Sequence, residues 1–74
     1  NPVTTIKFSL PETQQVTLKV YNLMGREVVT LVDQELQAGY HTTKWHAGSV
    51  ASGIYFYKLM SETKAITQKM ILLK

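Results

Sequence analysis

Seventy-four residues, 45% hydrophobic and carrying a net charge of +3, make one small domain, and a chain of this size buries only about 60% of the surface its unfolded form exposes. Without cysteine there is neither a disulfide framework nor a thiolate metal site. The lysines at 7, 19, 44, 58, 64, 69 and 74 are dispersed rather than clustered, which speaks against a nucleic-acid groove, and no apolar run of about 18 residues is present for a membrane-spanning helix.

The chain opens NPVTT, without a methionine and without a signal peptide, and reads as a piece of something longer. From TTIKFSL onward the pattern has period two. Ile6, Phe8 and Leu10 face one way and Thr5, Lys7 and Ser9 the other, the signature of a strand with one face buried, and Pro11 stops it. QVTLKVYN repeats the alternation with Val16, Leu18 and Val20 inward, so PETQ reads as a turn. Gly25 in NLMGRE supplies a turn position suited to positive φ. EVVTLV is a third strand with valines on both faces, and a bulge near Val28 and Val29 would reconcile its parity.

DQEL is then open to a short helical or extended segment, and Gly39 leads into HTTKWH, a fourth strand with Thr43 and Trp45 on one face. GSVASG is loop chemistry, GIYFYKLM a fifth strand, SETK a turn and AITQKMILLK a sixth. The expected fold is all-β, an immunoglobulin-like antiparallel β-sandwich of six to seven short strands, because strands of this length recur with turn residues between them. ASGIYFY favours the sandwich over a barrel. It places Tyr55 where such folds carry their corner tyrosine, with Tyr57 at the core position held in antibodies by a cysteine, Leu59 inward, and Ile54, Phe56 and Lys58 on the opposite face.

No catalytic constellation is legible. His41 and His46 have opposite parity and cannot converge on one metal, and a zinc site needs three or four ligands. Glu12, Glu27, Asp33, Glu35 and Glu62 read as turn or strand-end carboxylates, and no nucleophile elbow or glycine-rich phosphate loop occurs. The expectation is a non-enzyme with no metal and no cofactor. A carbohydrate-binding or spacer module remains the alternative, with Trp45, Tyr40, Tyr21 and Phe56 as the rings a sugar platform would need; a lone Trp in a small sandwich is more often its core.

Five segments in order, NPVTTIKFSLP, VTLKVYNLMGREVVTLV, AGYHTTKW, ASGIYFYKL and KMILLK, span the chain. Together they resemble the C-terminal sorting domain of the type IX secretion system, type A, found on cargo proteins of Bacteroidetes-like bacteria, which is also similar to the Ig-like domain of flagellar hook-capping proteins. The resemblance implies a single domain, 1–74, at the end of a larger secreted protein. Its partners would be an outer-membrane translocon, a sortase-like protease that removes it, and the N-terminal cargo of the same chain. Transit through the periplasm would precede display on the cell surface or release. The residues it marks for translocon recognition are Gly53 and Tyr55 with Lys69, Met70, Ile71, Leu72, Leu73 and Lys74.

The last run carries its own physical argument. Met70 and Leu72 fall on one face and Ile71 and Leu73 on the other, so the strand either lies covered on both sides or closes the sandwich with one row and offers the other. The resemblance favours the second arrangement.

Overall fold

A computed structural model describes residues 3–73. Six strands follow one another along these residues: β1 (Val3–Leu10), β2 (Gln14–Asn22), β3 (Glu27–Leu36), β4 (Gly39–His46), β5 (Gly53–Ser61) and β6 (Ala65–Leu72). They form two antiparallel sheets, one of β1 and β4 and one in the order β3-β2-β5-β6. In immunoglobulin terms the larger sheet has the C′-C-F-G order and the smaller pair stands for B and E. The PETQ segment therefore carries the chain from one sheet to the other instead of closing a hairpin.

Alternation decides which side chains meet between the sheets. Ile6, Leu10, Val16, Leu18 and Leu59 form one buried cluster, and Val20, Trp45, Ala47, Tyr55 and Leu72 form a second. A two-stranded sheet lies against a four-stranded one, and burial follows that mismatch. Val16, Leu18 and Val20 on the central strand β2 are fully buried, whereas Ile66 and Met70 on β6 and Val28, Val29, Leu31 and Val32 on β3 are half-buried.

Strand β3 accommodates its double row of valines by bulging. It inserts Val28 between the pairs Val20–Val29 and Tyr21–Glu27, and Leu31 between Leu18–Val32 and Lys19–Thr30. The first bulge is the one its parity demanded, and the second lies further along. DQEL is extended, one of the two forms its sequence left open, so Asp33 and Glu35 sit in the last four residues of β3; the Oδ1 of Asp33 accepts from Gln15 Nε2 across the ladder at 3.1 Å.

Two turns explain their residues directly. Asn22 Oδ1 accepts from the backbone N–H groups of Met24 and Arg26 at 2.9 and 3.0 Å, while Gly25 takes φ +82, a left-handed conformation that costs an L-residue with a Cβ about 1–2 kcal/mol. At the other end of β2, Gln14 is buried at 2% exposure. Its Oε1 accepts from the Thr63 hydroxyl at 3.2 Å, and Lys64 Nζ donates to the Ser9 carbonyl at 3.1 Å, which ties the β5–β6 turn to β1.

Candidate functional site

The residues marked by the sequence converge. Gly53 pairs with Leu72 and Tyr55 with Met70 across the β5–β6 ladder, so ASGIY and the closing apolar run are neighbouring strands. Between those pairs Ile54 lies across from Ile71 and Phe56 across from Lys69. Lys74 lies outside the described residues.

Parity then divides the set in two. Tyr55, Met70 and Leu72 point into the sandwich, where they belong to the second buried cluster or pack on it. The Tyr55 hydroxyl donates to the Ala51 carbonyl at 2.6 Å, and its ring meets Trp45 edge-on with centroids 5.3 Å apart. This is the corner-tyrosine arrangement: an apolar ring in the core whose polar end satisfies a loop carbonyl. Leu72, at 4% exposure, is core. Lys69, Ile71 and Leu73 are exposed, with Ile71 at 66% and Leu73 at 80%.

Among the described residues β6 is the outermost strand of its sheet and pairs only with β5. Such an edge leaves backbone N–H and C=O groups unpaired, and proteins usually blunt it with bulges, charges or proline. The β5–β6 register runs without a shift from Gly53–Leu72 to Met60–Ala65. The edge is thus regular, with an apolar row facing solvent beside it. That row continues across the outer face of the sheet through Ile54, Phe56 and Tyr21, the last two being register partners on β5 and β2. A shallow groove of about 330 Å³ lies beside them, bordered by Tyr21, Leu23, Phe56, Lys58 and Thr67. The sequence singled out Ile54 and Phe56 as an outward pair, but their join to Ile71 depends on strand order, which no local pattern encodes.

On the β5 and β6 half of this face charge is of one sign. Neither β5 nor β6 contains an aspartate or glutamate, while Lys58 and Lys69 stand on them. Towards the β3 edge of the same outer face, Lys19 Nζ meets Glu27 Oε1 at 3.1 Å, and Thr30 Oγ1 donates to the same carboxylate at 3.1 Å. The hydrogen bond from Lys19, then that from Thr30, holds the Glu27 carboxyl below its ordinary 4.5, and the same contact raises Lys19 above its ordinary 10.5.

The other candidate chemistries separate in space. His41 stacks on Phe8 with centroids 5.4 Å apart, its Nε2 2.7 Å from the Gln37 carbonyl, while His46 is exposed on the other face of β4. No group of three metal-ligating side chains occurs among the described residues. Trp45 is buried and Tyr40 stands alone at 93% exposure, so of the four rings weighed for a sugar platform only Tyr21 and Phe56 are adjacent. Among the described residues no helix is long and apolar enough to cross a membrane.

A family model described as a secretion system C-terminal sorting domain matches residues 1–73. No curated protein and no solved structure matches the chain.

Proposed function

Because the chain belongs to the family of type IX secretion system C-terminal sorting domains, we propose that the β6 edge and the apolar row beside it are what the secretion machinery reads. Membership gives the coarse function, a signal for export to the cell surface or medium. The observation that carries the finer reading is the split of the closing run into an inward row, half-buried Met70 and buried Leu72, and an exposed one, Ile71 with Leu73 just past the strand, on a strand with one free edge. The inward row fixes the strand to the sandwich. The exposed row and the free backbone then present a rigid surface to which an outer-membrane translocon adds a strand.

In this account the domain is an address and not a catalyst. It travels with an N-terminal cargo, folds in the periplasm, engages the translocon, and is then removed by a sortase-like protease. Gly53 and Tyr55 act indirectly, holding β5 and its entry loop in place so that β6 lies correctly. The test is a fusion of the 74 residues to the C-terminus of an exported fluorescent reporter, expressed in a type IX-competent bacterium and in the same strain with its translocon disabled. Reporter at the surface or in the medium of the first strain only, shortened by the mass of the domain, supports export and removal together. Equal periplasmic retention in both strains overturns the reading, and export at full length overturns removal alone.

A further inference from the structure

Four strands have a free edge, β1, β4, β3 and β6, and they are not equivalent. β3 carries two bulges and the charges Glu27, Asp33 and Glu35, devices that discourage pairing. The outward rows of β1 (Val3, Thr5, Lys7, Ser9) and β4 (Tyr40, Thr42, Lys44, His46) are polar apart from Val3 at the first position of β1 and one isolated ring. β6 joins a regular edge to the more exposed aliphatic side chains, Ile71 at 66% and Leu73 just beyond the strand at 80% against Val3 at 46% on β1, and at its middle stands Lys69, two residues from Ile71 and on the same face.

We propose that the segment pairing with β6 is an extended peptide with an acidic side chain across from Lys69 and an aliphatic one across from Ile71. The proposal rests on the sorting reading and names the chemistry of its partner. Charge complementarity selects the acid. No carboxylate stands on β5 or β6, and Phe56, the ladder neighbour of Lys69 on β5, offers its ammonium no counter-charge. Directly opposed unlike charges stabilise strand pairing and like charges oppose it. The spacing of two selects the aliphatic residue, since positions two apart share a face. Lys69 at the centre of the edge also opposes symmetric pairing of two copies of this chain through β6, because both copies would bring lysine to the middle of the new ladder.

Purified chain titrated with the palindromic peptide Thr-Ile-Thr-Glu-Thr-Ile-Thr, blocked at both ends, tests this by amide NMR. Its symmetry makes strand direction immaterial. The expected result is perturbation and slowed exchange confined to β6 and the outer face of β5, with binding about fivefold to tenfold tighter than for the lysine-centred counterpart and weakened by salt. Equal binding of the two peptides, perturbation centred on β1, or no binding overturns the proposal. Lys69→Glu in the export fusion separates it from the reading beneath. Export of the wild-type fusion with undiminished export of Lys69→Glu overturns the acidic partner and leaves sorting standing, whereas failure of the wild-type fusion removes sorting while the peptide titration still decides the edge chemistry.

Discussion

Tyr55 hangs between two parts of the chain: its ring lies edge-on to Trp45 of β4 at 5.3 Å, and its hydroxyl donates to the carbonyl of Ala51, four residues earlier, at 2.6 Å. Tyr55→Phe keeps the ring and removes the bond, leaving a part-buried carbonyl without its donor. The expected loss is about 1–2 kcal/mol, read as a fall in Tm of about 4–8 °C per kcal/mol in a domain of this size. An unchanged Tm would show that the hydroxyl does not anchor the loop entering β5.

Adjacent residues of β6 have opposite jobs. Leu72→Ala removes a core side chain from the cluster around Trp45 and Tyr55 and is expected to cost about 2–4 kcal/mol, a large share of what so small a domain has. Ile71→Thr exposes no core and keeps a β-branched side chain, so its effect on stability is expected to stay within about 0.5 kcal/mol. Urea unfolding of both variants checks the contrast. Similar losses would mean that Ile71 is not free of the fold.

The β2–β3 turn depends on one side chain and one conformation. Asn22→Ala strips the acceptor from two backbone N–H groups, and Gly25→Ala places a Cβ at φ +82; each is expected to cost about 1 kcal/mol. Because both act on the same turn, the double variant should lose less than the sum of the two. Strict additivity in thermal unfolding would contradict a shared mechanism.

Glu27 supplies a pH signature. Its carboxyl is held below the ordinary 4.5, mainly by the hydrogen bond from Lys19. A group whose folded pKa is lowered contributes stability that is complete above the unfolded value and fades as pH falls through the folded one. The wild type should therefore weaken more steeply than Glu27→Gln between about pH 5 and about pH 3. The difference will be small, since the pair is exposed and salt-screened. Parallel curves would show the ion pair to be energetically silent.

Alternation made most of the fold legible. Ile6, Leu10, Val16, Leu18, Val20, Trp45, Tyr55 and Leu59 are buried as their parity requires, and the corner hydrogen bond of Tyr55 lies where ASGIY placed it. Parity could not give partners. Nothing local says that β1 pairs with β4 across an intervening hairpin, or that β6 ends up outermost, because strand order is a matter of pairing between segments far apart in the chain. The same gap hid half of the candidate site: the split of KMILL into core and exposed rows is sequence-readable, but the union of Ile71 with Ile54, Phe56 and Tyr21 needs the ladder. Gln14 was missed for another reason, since its polar side chain occupies an inward position in β2 and accepts from Thr63 in the distant β5–β6 turn.

The most direct test of the β6 reading is export of the Ile71→Thr fusion beside the wild-type fusion, in a type IX-competent strain, with folding of each purified chain verified by thermal unfolding. The account predicts wild-type reporter at the surface or in the medium and a folded variant that stays inside. A folded Ile71→Thr variant exported as efficiently as wild type would contradict it, and would place recognition away from the exposed row of β6.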